Sequence, residues 1–282
     1  MPRLVYLNGD FVPLDQAQIP VMDRGFLFGD GIYEVTAVLG GRLIDNAPHL
    51  ARLERSLEEI GIANPHSNAD WTRLQYDLIR RNGLGDGLVY IEVTRGVFER
   101  DFLCPTDLRP TVAMFTQAKE LRDPPAATTG VAVVTVPDLR WKRRDIKSVA
   151  LLAQVLAKQA ARAAGVAEAW MVEDGYVTEG ASSTAFIIAS DGRIVTRPLS
   201  TAVLPGITRS AVLKLAERHG LRFEERPFAV AEALGAAEAF LTSASSLVTP
   251  VVAIDGHPVG DGKPGPLTKE LRKLYLQMAE AS

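Results

Sequence analysis

One break in the chain does most to limit how it folds. Residues Lys119–Gly130 (KELRDPPAATTG) join Pro124-Pro125 to small polar residues and carry no apolar period. Adjacent prolines remove two backbone donors and interrupt regular structure. A chain of 282 residues, at about 150 residues per domain, makes one large domain or two smaller ones. The break predicts a small N-terminal α/β domain over residues 1–119, an interdomain linker over 120–130 and a large C-terminal domain over 131–282.

Both sides of the break mix strands and helices. Leu4–Leu7 ahead of Asn8-Gly9-Asp10 reads as a hairpin, because Asn-Gly suits the primed turn that matches strand twist. Leu50, Leu53, Leu57 and Ile60 recur at helical spacing, with Gly61 placed to end the helix. Trp71–Arg81 reads as a helix; Leu88–Thr94 and Thr111–Phe115 read as strands. Beyond the break, strands are expected at Val131–Val136, Ala169–Glu173, Tyr176–Glu179, Thr184–Ala189 and Ala239–Thr242. Helices are expected at Val149–Ala164, Ser210–His219 and around Leu267–Met278. No regular βαβ alternation runs through either half, so the fold class is α+β in two domains.

Composition removes several function classes. Hydrophobic residues make up 47% and charged residues 23%, as in a globular protein and unlike a disordered one. The formal net charge of −3 disfavours a nucleic-acid surface. One cysteine, Cys104, excludes a disulfide framework within the chain. No run approaches about 18 apolar residues, so no membrane span is expected. The start shows no signal-peptide pattern, and the expected location is cytoplasmic.

Common catalytic signatures are missing. Gly29-Asp30-Gly31 begins like a dinucleotide loop, but residue 34 is glutamate where the third glycine belongs. The four histidines (His49, His66, His219, His257) show no ligand spacing, and no metal is expected. Four segments remain. Arg143–Ser148 places Lys147 at the mouth of an expected helix that Ser148 is able to cap. Cations and a helix N-terminus both favour a neutral amine there, the form that makes a Schiff base. Leu204–Arg209 puts glycine and threonine at a helix start, a phosphate-binding arrangement. Thr242–Ser246 follows a strand with a run of hydroxyl donors, and Val177–Ser183 ends a strand in Glu179 and small residues. Taken alone, each reads equally as an ordinary feature: a solvated basic run, a Gly-Thr cap, a polar loop, a solvated glutamate.

Together and in order, these segments resemble the class IV (fold type IV) pyridoxal-phosphate aminotransferases, and among them the D-amino-acid aminotransferases. The stretches that carry the resemblance are DRGFLFGDGIYEV (23–35), HLARL (49–53), VTRG (93–96), DIKS (145–148), LAKQ (156–159), VTEGASS (177–183), LPGITR (204–209) and LTSAS (241–245). The resemblance implies a two-domain fold type IV enzyme that binds pyridoxal 5′-phosphate through a Schiff base on Lys147. It implies that Glu179 faces the pyridine nitrogen and that Leu204 lies against the cofactor ring. Arg52, Ile207, Thr208, Ser243 and Ala244 are implied to hold the phosphate. Tyr33, Arg100, Ser182 and Ser183 are implied on the substrate side, with Arg100 binding the substrate carboxylate. The implied partners are a small-molecule amino donor and a 2-oxo acid, in a homodimer that engages neither nucleic acid nor membrane.

The implied reaction is ping-pong transfer of an amino group from a D-alanine-like donor to an acceptor such as 2-oxoglutarate, as in D-amino-acid transaminase. The sequence departs from the pattern at Arg100-Asp101-Phe102, where relatives carry Arg-x-His, and at Ala37, where relatives carry a basic residue. Phenylalanine donates no hydrogen bond. A less polar pocket keeps branched-chain L-amino-acid or (R)-amine transfer as the alternative. Aminodeoxychorismate lyase chemistry and a non-catalytic binding module stand further off.

Overall fold

The computed structural model describes residues 2–281. By internal contacts the chain divides into two compact units, residues 1–120 with 146–150 and residues 121–145 with 151–282. The segment Ile146–Ala150, expected with the C-terminal part, groups with the first unit.

The first unit contains β1 (Leu4–Leu7), β2 (Asp10–Pro13), α1 (Arg24–Phe28), β3 (Gly31–Leu39), β4 (Arg42–Leu43), α2 (Asn46–Glu59), α3 (Asn68–Asn82), β5 (Gly87–Thr94) and β6 (Thr111–Ala118). Its six strands form one sheet in the order β2-β1-β6-β5-β3-β4, and every pairing is antiparallel. Alternation sets the two faces of that sheet. Ile32, Val38, Val89, Ile91, Val93, Val112 and Met114 point to a core shared with Leu50, Leu53 and Leu57 of α2 and Trp71, Leu74 and Leu78 of α3. Tyr33, Val35, Tyr90 and Phe115 lie on the opposite, half-buried face. Gly83, at φ +59°, ends α3 where the sequence places Asn82-Gly83.

The second unit contains α4 (Pro125–Thr129), β7 (Val131–Pro137), α5 (Leu152–Ala163), β8 (Glu168–Glu173), β9 (Tyr176–Gly180), β10 (Thr184–Ile188), β11 (Ile194–Thr196), α6 (Ile207–Arg218), β12 (Phe223–Glu225), α7 (Val230–Leu234), β13 (Glu238–Ser243), β14 (Leu247–Ile254), β15 (His257–Pro258) and α8 (Pro266–Ala281). Its sheet runs β12-β11-β10-β13-β14-β7-β8-β9, with β15 paired to β14. The pairs β11–β12, β7–β14 and β7–β8 are parallel and the rest antiparallel. The unit carries its own core around Val133, Trp170, Phe228 and Leu241. Mixed and antiparallel sheets bear out the α+β class. The stretch 120–130 holds one turn of helix, α4, with Pro125 at its first position, where a missing N–H costs nothing. No helix among the described residues is long and apolar enough to cross a membrane.

Candidate active site

In the first unit, two periodicities bring distant side chains together. The helical spacing that buries Leu50, Leu53 and Leu57 puts His49, Arg52 and Ser56 on the same buried face of α2. The alternation of β3 turns Glu34 toward that face. Glu34 is fully buried. Arg52 donates to it from Nε (2.6 Å to Oε1) and Nη2 (2.9 Å to Oε2), and His49 Nδ1 lies 2.8 Å from Oε2. The guanidinium outweighs desolvation and holds the Glu34 carboxyl far below the usual range. Burial pushes the His49 ring down, toward its neutral form.

Lys147 is carried by the same strand. The Tyr33 amide donates to the Lys147 carbonyl (2.9 Å), the Val149 amide donates to the Gly31 carbonyl (3.1 Å), and Ser148 bridges Ile32. Thus 147–149 docks as a short extension of the sheet. Its side chain reaches the half-buried face, with Nζ 4.1 Å from the centroid of the Tyr33 ring. Tyr33 stacks on Tyr90 at 5.4 Å, and Tyr90 on Phe115 at 4.6 Å. By sequence, the basic run Arg143–Ser148 puts Lys147 at a helix mouth that Ser148 is able to cap. Instead α5 starts at Leu152 with no side-chain cap, and Ser148 Oγ accepts from the Ala150 amide. Strand pairing, not a helix N-terminus, sets the lysine. Gly31 also lets β3 lie close against β5: a Cβ there would lie 2.8 Å from the Val93 carbonyl oxygen. Arg100 sits in an exposed loop, its guanidinium 5.6 Å from the Phe28 ring.

The second unit gathers the other expected residues. Glu179, at the end of β9, is buried. It pairs with Arg140 and accepts from the Leu204 amide at 3.2 and 3.3 Å. Burial pushes its carboxyl up, while Arg140 and the amide pull against that. Arg140 is aligned by Asp138, which also accepts from Thr178 Oγ1 at 2.6 Å. Helix α6 starts with Ile207 and Thr208 behind Gly206, and no side chain caps it. A Cβ on Gly206 would approach Thr184 Oγ1 to 2.7 Å, so any larger residue in the turn into α6 must displace that hydroxyl. Ser243 Oγ lies 2.7 Å from Ser246 Oγ in the turn that holds Ala244. The hydroxyls of Ser182 and Ser183 donate to Glu168, at 3.0 and 3.2 Å.

Three of these participants were not singled out from the sequence. Glu34 and His49 fall inside the matching stretches 23–35 and 49–53 with no role implied for either, and Arg140 lies in none of them. The available signals were the three-residue step from His49 to Arg52 and an acidic residue inside an apolar strand.

These residues fit a phosphate-bearing pyridine aldehyde. An uncapped helix start, a close-packed glycine ahead of it and a buried Thr242 hydroxyl without a hydrogen-bond partner suit a phosphate. In the second unit the buried Glu179 carboxylate suits a cationic ring nitrogen, and in the first Lys147 carries an amine of the kind that binds an aldehyde. No group of three or more His, Cys, Asp or Glu among the described residues is placed to hold a metal ion.

Known proteins agree with this chemistry. Over 278 residues the chain is 40% identical to a D-alanine aminotransferase of Staphylococcus aureus, covering 98% of both chains. It is 40% identical to a D-alanine aminotransferase of Bacillus licheniformis, covering 95% of this chain and 94% of that one. Its fold matches a branched-chain amino acid aminotransferase of Escherichia coli with a TM-score of 0.91 at 23% identity, covering 99% and 95% of the two chains. The profile of the amino-transferase class IV family matches residues 31–254. The chain therefore belongs to the class IV aminotransferases.

Proposed function

We propose that this enzyme transfers the amino group of a D-amino acid, with D-alanine as reference donor, to a 2-oxo acid such as 2-oxoglutarate, using pyridoxal 5′-phosphate. The 40% identity over nearly the whole chain to proteins named D-alanine aminotransferase carries the reading. When bound, the cofactor supplies an aldehyde for the amine and a sink for the electrons of the Cα–H bond.

The chain's own residues do the rest. Lys147 would hold the cofactor; once released, its amine takes the Cα proton as base and returns one as acid. Glu179 would keep the ring nitrogen cationic. Arg52, the amides of Ile207, Thr208 and Ala244 and the Ser243 hydroxyl would hold the phosphate dianion. Leu204 would pack on the ring. Arg100 would bind the substrate carboxylate, with Tyr33, Ser182 and Ser183 shaping the substrate side. We also propose a homodimer; the exposed Leu152, Val155 and Leu156 on one face of α5 support it, and light scattering on the eluting protein tests it.

Phe102 and Ala37 favour the second reading, branched-chain L-amino-acid or (R)-amine transfer, because both place an apolar side chain where a polar one would bind a charged substrate group. A donor panel decides: both enantiomers of alanine and leucine and of 1-phenylethylamine, each with 2-oxoglutarate. D-Alanine should yield pyruvate and D-glutamate. Turnover of L-leucine or of (R)-1-phenylethylamine without D-alanine would replace the first reading with the second.

A further inference from the structure

We propose that Arg24 is the positioning residue for Arg100, locking the backbone of the exposed loop that presents it; this rests on the proposed role of Arg100. Arg24 opens α1 and is 5% exposed. Its Nη1 donates to the Asp101 carbonyl (2.6 Å) and its Nη2 to the Phe102 carbonyl (3.3 Å). Its Nε donates to Asp30 (2.8 Å). Asp30 is held in turn by Arg95, through Nε at 2.8 Å and Nη2 at 3.0 Å, and Arg95 also donates to the carbonyls of Ile60 and Gly61. Phe28 presents its ring 4.8 Å from the Arg24 guanidinium and 5.6 Å from that of Arg100, with the Phe102 ring 5.5 Å away.

The loop has neither helix nor strand at residues 99–103, and Phe102 and Leu103 are 78% and 82% exposed. In water its carbonyls need no protein partner. Two of them nonetheless meet a buried guanidinium whose charge Asp30 offsets. Only arginine presents a planar fork able to bind Asp30 and both carbonyls at once. The result is a fixed backbone directly after Arg100, so the entropy of placing that side chain is lost before substrate binds.

The test is steady-state kinetics on the holoenzyme, with the amino-acid donor that the panel identifies. Arg24→Gln should raise the KM of that donor about tenfold with kcat little changed, the effect of losing one charged hydrogen bond. Arg24→Lys keeps the charge beside Asp30 but not the fork, and should give an intermediate KM. Arg100→Leu should raise KM at least as much, and adding Arg24→Gln to it should raise KM no further. An unchanged KM in Arg24→Lys or Arg24→Gln overturns the proposal, as does a loss confined to kcat. So does a double variant in which the two effects multiply, the mark of a merely structural arginine. If Arg100→Leu itself leaves KM unchanged, the role of Arg100 falls, and this inference with it. A raised KM in Arg100→Leu beside unchanged Arg24 variants sinks this inference alone.

Discussion

Replacing Glu34 by glutamine removes a buried carboxylate that faces Arg52 and His49 inside the first unit. The amide matches the carboxylate in volume, so packing is preserved and charge is the variable. Glu34 is fully buried and accepts two bonds from the Arg52 guanidinium, itself only 7% exposed. Breaking a buried pair by removing one partner typically costs about 3–5 kcal/mol, because the remaining charge stays buried. In a chain of this size each kcal/mol moves Tm by about 2–4 °C, so the apoprotein should lose roughly 6–20 °C at pH 7. Differential scanning calorimetry reads this directly. The carboxyl lies below the ordinary glutamate value of 4.5 in the folded chain. Its contribution is therefore complete above that pH and is lost as pH falls toward the lowered folded value. The gap between wild type and E34Q should accordingly narrow on acidification. A Tm loss below about 2 °C at pH 7 would refute the argument, since it would mean that Arg52 does not depend on this partner.

The remaining expectations concern neighbouring groups. His49 is held below its ordinary 6.5 by burial, so folding stability should fall as pH drops below that value, and His49→Gln should flatten the wild-type stability profile between pH 7 and 5 in urea titrations. Lys147→Ala should lose activity by at least about 10²–10⁴-fold, the usual share of a proton-transferring group, while Tm stays close to wild type; normal turnover in that variant would defeat the proposed mechanism. Gly31→Ala sets a Cβ 2.8 Å from the Val93 carbonyl oxygen and should destabilise by about 1–3 kcal/mol in chemical denaturation, the range for overpacking. Arg140→Met leaves Glu179 and Asp138 buried without this cation and should both lower Tm and weaken cofactor retention, read by visible absorbance after dialysis.

Much of the fold is written locally. Leu50, Leu53 and Leu57 mark α2, Asn82-Gly83 marks the end of α3, and Leu88–Thr94 lies within β5. The order of motifs along the chain placed it in its family, because each motif keeps its backbone context: Thr208 at a helix start, Glu179 at a strand end, Ser243 at a turn. The long strand β3 was harder to see, since its sequence mixes glycine, tyrosine and glutamate. Glu34 reads as a polar interruption until α2 lies on that face of the sheet.

Helical and strand periods and turn residues, all properties of neighbours within a few positions, sufficed for elements such as α2, α3 and β5 and for the α+β class, while the resemblance singled out Lys147. Packing alone decided that Lys147 pairs with β3 rather than standing at a helix mouth, that Glu34 belongs to Arg52 and His49, and that Arg24 grips a loop far along the chain. The reason is range: propensity acts over one turn or one strand, whereas a buried charge finds its partner only when the folded core excludes water from both.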